Sequence, residues 1–191
     1  MSLTRRHLQQ RILGFLGIAA LKLPASATAS PPAEDVAIPY HRIGMDAYQN
    51  FLVNWEKQPV LYALIQTPAQ YNALFHPAGV MDPKRPYAPP DSLFDKEQIL
   101  VVARVVTAGS NPDKVFEAVK LRNNQQTLEL HYRFQAPRTD AGTSQEKNFL
   151  ALRIPKQNFK TLLVFENNQK VGELKLDSGQ WSVPAMVVEP D

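Results

Sequence analysis

No cysteine occurs among the 191 residues, which excludes thiolate nucleophiles, thiolate metal sites, disulfides and lipid attachment at a lipobox cysteine. Three of the four histidines, His41, His76 and His131, lie beyond the first thirty positions. None has the H-x-H or H-x-x-x-H spacing that turns two imidazoles toward one metal ion. His41 and Met45 stand four apart, and Met81-Asp82 falls in a proline-rich stretch; these are the soft donors a copper carrier would use. Methionines filling core gaps and histidines on strand surfaces account for the same residues. For acid–base chemistry there is one grouping, Asp91, Asp95 and Glu97 around Leu93-Phe94. It would serve a hydrolase if the fold converged two of its carboxylates, and solvated loop charges are the plain alternative. No serine occupies a G-x-S-x-G elbow, and the eight glycines are scattered, leaving no phosphate cradle. The expectation is a protein that is not an enzyme and carries no cofactor and no metal.

Contact chemistry is better represented. Between His76 and Pro90 lie Pro77, Pro83, Pro86, Pro89 and Pro90, a density that ends any helix and interrupts any ladder. Within it Met81, Lys84, Arg85 and Tyr87 present a ring and two cations on a stiff loop that loses little entropy on binding. A second candidate is Pro137 to Lys147, with Arg138, Asp140 and Lys147, in the polar loop that follows Phe134. These five residues, Met81, Lys84, Arg85, Tyr87 and Arg138, are the partner-binding candidates, and a stiff connector and a hairpin tip are the structural alternatives. Trp55 and Trp181 are possible anchors that a sandwich core would compete for.

The first thirty residues read as a targeting segment rather than as part of a domain. Thr4-Arg5-Arg6-His7-Leu8 is a charged start, Ile12 to Leu23 is an apolar run, and Ala25-Ser26-Ala27-Thr28-Ala29 offers A-x-A cleavage after Ala27 or Ala29. At about twelve residues the run is too short to cross a hydrocarbon core of about 30 Å as a helix. The pair Arg5-Arg6, with Thr4 before it and Leu8 after, resembles the twin-arginine export pattern, and Leu8-Gln9-Gln10 departs from it; the general secretory route is the other reading. Charge agrees with removal. The chain carries net charge +3, but Arg5, Arg6, Arg11 and Lys22 all precede Ala29 and no acid does. Taking those four from 21 basic residues leaves 17 against 18 acidic ones, a net charge of −1. A near-neutral domain has no overall field to attract nucleic acid by counterion release. The expected organisation is a signal peptide over residues 1–29, a disordered leader over 30–35 and a single β-rich domain over 36–191. The expected location is periplasmic or secreted, with no stable membrane insertion after cleavage and an envelope protein or peptide as partner.

The elements that would position these residues are mostly strands. Val36 to Ile43 alternates weakly and contains Pro39, which suits an edge strand. Ala47 to Glu56 fits both strand and helix periodicity, with strand preferred because Lys57-Gln58 turns into the apolar Val60 to Ile65. Thr67-Pro68-Ala69-Gln70 starts a helix: the Thr67 hydroxyl can accept from the Gln70 amide, the Gln70 side chain can reach back to the Thr67 amide, and Pro68 suits the first turn. Tyr71, Leu74 and Phe75 then form the apolar stripe of a two-turn helix that stops at Pro77. Ile99 to Val106 is nearly continuous and apolar, as a strand covered on both faces requires. Val115 to Leu121 precedes a turn at Asn123 to Gln126, after which Leu128, Leu130 and Tyr132 alternate with Glu129, His131 and Arg133. Phe149 to Ile154, Thr161 to Glu166 and Val171 to Leu176 add three more strands, the last two joined by a turn at Asn167 to Lys170. Seven or eight short strands, roughly, with one short helix predict a mainly β fold, an antiparallel sandwich or partly open barrel.

The capped helix with Tyr71 and Phe75, the run Leu93-Phe94-Asp95-Lys96-Glu97 leading into the long buried strand, the hairpin after it and the Ile154-Pro155 ending of a later strand resemble the small β domain of PrcB-type protease-complex proteins and their uncharacterised exported bacterial relatives. The resemblance covers residues 60–165. Ala108-Gly109-Ser110-Asn111 stands where relatives commonly have a Gly-Gly-Tyr type step. The resemblance implies a non-enzymatic accessory role and transfers no catalytic residue.

Overall fold

The computed structural model describes residues 36–43, 60–75, 89–107, 115–135 and 145–183, all within the unit Ala33–Asp191. Alternation decides which side chains these strands bury, and the burial pattern resolves them into two stacked open sheets. Sheet A runs in the order β1 (Val36–Ala37), β5 (Phe116–Asn124), β6 (Thr127–Phe134), β8 (Thr161–Glu166), β9 (Gln169–Lys175). Sheet B runs β10 (Ser182–Val183), β3 (Val60–Ile65), β4 (Glu97–Thr107), β7 (Gln145–Pro155), β2 (His41–Ile43). Neither closes into a barrel, so the sandwich reading holds.

Among the described residues every pairing is antiparallel except β6 with β8. Parallel neighbours need a crossover between them, and β7, which lies in sheet B, supplies it. With that one parallel pair the fold is a mostly antiparallel sandwich.

Sheet B has apolar side chains on both faces. Leu100, Val102 and Val106 of β4, with Tyr62, Leu64, Leu150 and Leu152, pack against Leu128, Leu130, Leu162, Val164 and Leu174 of sheet A. Ile99, Val101 and Ala103, with Leu61, Ala63, Ile65, Phe149 and Ala151, pack on the opposite side under Tyr71, Leu74, Phe75 and Phe94. Those four rings and chains come from two short helices, α1 (Pro68–Leu74) and α2 (Leu93–Lys96), and from the residue that ends α1. Phe75 stacks on Tyr71 (5.1 Å) and meets Phe149 edge-on (5.6 Å). The continuous apolar run of β4 therefore reflects burial on two sides, as its sequence predicts.

The start of α1 is capped as expected on one side: the Thr67 hydroxyl accepts from the Gln70 amide at 3.2 Å. The reciprocal bond differs. Gln70 Oε1 accepts from the Gln66 amide at 2.7 Å, one residue before the predicted donor, because Gln66 still extends from β3. The helix ends at Leu74, with Phe75 already extended.

The weakly alternating segment 36–43 is an edge twice over. β1 pairs with β5 in sheet A, β2 pairs with β7 in sheet B, and Ile38 between them is buried in the inter-sheet core. The segment 47–56 lies outside the described residues.

Candidate functional site

The helices cover the outer side of sheet B. The outer side of sheet A has no such cover among the described residues, and alternation fixes what it presents: Glu117, Lys120 and Arg122 from β5, Glu129, His131 and Arg133 from β6, Leu163 and Phe165 from β8, Glu173 and Lys175 from β9. The hairpin register sets Lys120 across from His131, Arg122 across from Glu129 and Glu117 across from Arg133.

A β-bulge opens this face. Pairing of β5 with β6 shifts between Glu117 and Lys120, and Ala118 adopts φ +50°. A left-handed conformation costs a non-glycine residue roughly 1–2 kcal/mol, and bulges commonly re-aim side chains beside functional surfaces. Beside the bulge is a groove of about 390 Å³ lined by Ala118, Lys120, Arg122, His131, Arg133 and Asn168, among others. Its far rim is the β8–β9 turn, where Asn167 and Asn168 have φ +51° and +67°. Asn167 is fixed there: its Oδ1 accepts from the Phe134 amide at 3.1 Å, its Nδ2 donates to the Phe134 carbonyl at 3.2 Å, and its own amide donates to the Tyr132 carbonyl at 3.0 Å. The side chain thus continues the β6–β8 pairing past the end of β8.

Two side chains of the groove, His131 and Arg133, are tied to neighbours. His131 Nε2 lies 3.0 Å from Glu129 Oε2, and its ring stacks on Phe165 at 4.4 Å and 2°. Arg133 Nη1 is 3.8 Å from Glu117 Oε2, whose other contact is a 2.9 Å bond donated by the Gln135 amide group. Lys120 is exposed and makes no hydrogen bond or ion pair among the described residues. At the β9 edge, hydrogen bonds from Lys170 and then Lys175 hold the Glu173 carboxyl down at about 2.

Behind the groove the sheets are joined by a polar lock. Glu166 at the end of β8 accepts from the Tyr132 hydroxyl at 2.7 Å and pairs with Arg104 of β4, whose guanidinium lies 3.7 Å over the Phe134 ring. Tyr62 of β3 hydrogen-bonds Tyr132. Its ring lies against Gly172 of β9, where an added Cβ would sit 2.8 Å from two ring carbons. Burial, and then the bond to Glu166, raise the Tyr132 hydroxyl well above the usual phenol range, and burial raises Tyr62. Raised phenols held by a paired carboxylate make rigid cross-braces between the sheets.

The acidic grouping behaves differently from a paired-carboxylate site. Asp91 and Asp95 are exposed, and Glu97 is held by Arg153, whose Nε donates to Glu97 Oε2 at 2.8 Å while Nη2 reinforces the pair. Glu97 and Arg153 line a second groove with Pro90, Ser92, Leu93 and Lys96; Asp91 and Asp95 do not line it. Among the described residues no group of three His, Cys, Asp or Glu could hold a metal ion. His41 is exposed on β2, while Met45, His76 and Met81-Asp82 lie outside the described residues. So do Met81, Lys84, Arg85, Tyr87 and Arg138, the signal residues Arg5 and Arg6, the cleavage positions Ala27 and Ala29, and Trp55. Trp181 is half-buried against the helix-side core, and its carbonyl accepts from the Leu64 amide at 2.8 Å.

Sequence reasoning weighed His131 only as a metal ligand and named none of Lys120, Arg122, Arg133 and Asn168 as a contact residue. The signal was present in part. Alternation in Thr127 to Phe134 sets Glu129, His131 and Arg133 on one face, and folding the hairpin at Gln125–Gln126 brings Lys120 and Arg122 beside them. The bulge at Ala118, which makes the face concave, has no glycine or asparagine to announce it. No helix among the described residues is long and apolar enough to cross a membrane. No protein-family model, curated protein or solved structure matches the chain.

Proposed function

We propose that this chain is an exported, non-enzymatic binding or accessory protein that holds an envelope protein or peptide against the outer face of sheet A. The observation that carries the reading is the asymmetry of the sandwich. Sheet B is covered on both sides, whereas sheet A presents a grooved face mixing cations with the Phe165–His131 stack. Aromatic rings beside arginines on an ordered surface are the usual anchors of protein contacts. Export is supported by the charged start, apolar run and A-x-A sites of the first thirty residues. An accessory role agrees with what the PrcB-type resemblance implies.

The test places a photo-crosslinking amino acid at Leu163 on the outer face of β8 and, as a control, at Ser92 beside α2. In living cells Leu163 should yield one defined protein adduct and Ser92 none. Mass spectrometry of the periplasmic fraction should find the chain cleaved after Ala27 or Ala29. Equal crosslinking from Ser92, or an uncleaved chain retained in the cytoplasm, would overturn the proposal.

A further inference from the structure

Charge on the grooved face is unevenly matched. Arg133 has Glu117 across from it, and Arg122 has Glu129. Lys120 has no acid opposite; its register partner is His131, whose Nε2 is already engaged by Glu129. The three cations of the groove wall therefore exceed the two acids that face them by one charge, and the excess centres on Lys120. Around Lys120, Arg122 is two residues along the same strand and Arg133 is on the diagonal across the hairpin. Along the unbulged strand Arg122 lies roughly 7 Å away, and Arg133 lines the same groove across the bulge. A single anionic group resting over Lys120 would meet a second cation on each side. The opposite rim offers the Asn168 side chain, an amide able both to donate and to accept, which matches a peptide group. The volume, about 390 Å³, exceeds what one inorganic anion occupies and suits a side chain with its flanking backbone. Shape and charge together specify the occupant more closely than either alone.

We propose that the groove between the Ala118 bulge and the Asn167–Asn168 turn binds an acidic segment of a peptide or protein, with one Asp or Glu carboxylate seated on Lys120 between Arg122 and Arg133. This rests on the outer face of sheet A being the contact surface, and it adds the chemistry of the partner. Exposed ion pairs are individually weak and screened by salt, so binding is shared among the three cations and falls as ionic strength rises.

The experiment uses the full chain labelled with ¹⁵N and two probes, acetyl-Ala-Glu-Ala-Glu-Ala-amide and the same peptide with both Glu replaced by Gln; inorganic phosphate is the third arm. The acidic peptide should move the amide signals of Lys120, His131, Arg133 and Asn168 at low salt. The Gln peptide should bind at least fivefold more weakly. K120A should weaken the acidic peptide at least fivefold, whereas E129Q, which removes a competing carboxylate, should tighten it two- to threefold. Because the substitutions at exposed Lys120 and half-buried Glu129 act in opposite directions, a general folding defect cannot imitate the pattern. Equal binding of both peptides would overturn the proposal, as would K120A leaving affinity unchanged. Response to phosphate with silence toward the acidic peptide would replace it with an inorganic or phosphorylated ligand. No response to any probe, with crosslinking from Leu163 retained, would remove the acidic-segment reading while leaving the contact face in place.

Discussion

Asn167 is the residue whose removal most directly tests how the groove is built. It occupies a left-handed backbone position, φ +51°, and its side chain makes two bonds to the Phe134 main chain, at 3.1 and 3.2 Å. Asn167→Ala loses both bonds and puts alanine in a left-handed backbone position that asparagine tolerates better. Each exposed hydrogen bond contributes about 0.5–1 kcal/mol net, and alanine in that backbone region adds about 1 kcal/mol. The sum is about 2–3 kcal/mol of lost stability. Asn167→Gly separates the two parts, since glycine accepts the conformation and loses only the bonds; its expected cost is about 1–2 kcal/mol. Urea unfolding followed by tryptophan fluorescence, with unchanged slope, reads both numbers. At about 2–4 °C per kcal/mol for a domain of this size, the alanine variant should melt roughly 5–10 °C lower. An alanine variant within about 0.5 kcal/mol of the parent, or a glycine variant less stable than the alanine one, would refute the account of this turn.

Three further outcomes follow from the inter-sheet lock. A double-mutant cycle on Arg104→Met and Glu166→Gln should give a coupling of about 1–2 kcal/mol, because both side chains are under one-fifth exposed (19% and 15%) and less screened than a surface pair; a coupling below about 0.3 kcal/mol would show that the pair behaves as a surface one. Gly172→Ala should destabilise by about 1–3 kcal/mol in urea titration, since the new β-carbon meets the Tyr62 ring at 2.8 Å, and a neutral result would mean that ring does not lie on β9. Tyr62 and Tyr132 have raised hydroxyls in the folded state, so their contribution is present below the unfolded phenol value near 10 and is lost as pH climbs above it. Absorbance at 295 nm should therefore show at least two of the six tyrosines ionising only as the protein unfolds.

Periodicity carried the architecture and could not carry the concavity. The apolar run of β4 was legible because double burial removes the polar alternate positions; the Thr67 cap was legible because its bond spans three residues. Both are local. The parallel pairing of β6 with β8 was not legible, since it depends on β7 leaving for the other sheet and no residue in β8 marks direction. Likewise the sequence drew attention to Met81, Lys84, Arg85 and Tyr87 as a dense cationic loop, while the grooved face is assembled from single charges spaced two apart on separate strands. Each is unremarkable along the chain. They become a surface only when the hairpin register and the Ala118 bulge bring them together. Asp91, Asp95 and Glu97 are the converse: adjacent in sequence, yet Glu97 turns to Arg153 and leaves the other two in solvent.

The segment that carries β1 and β2 has a consequence for how the sandwich is assembled. Its eight residues stitch one sheet at Val36–Ala37 and the other at His41–Ile43, but their partners, β5 and β7, come much later in the chain. Such distant pairings are slow to form, so the first strands of the domain should be among the last to dock, like a clasp closed after the halves are aligned. Trimming through Ile43 would bare an edge of each sheet simultaneously, and two open edges on one molecule are what self-association by strand addition needs.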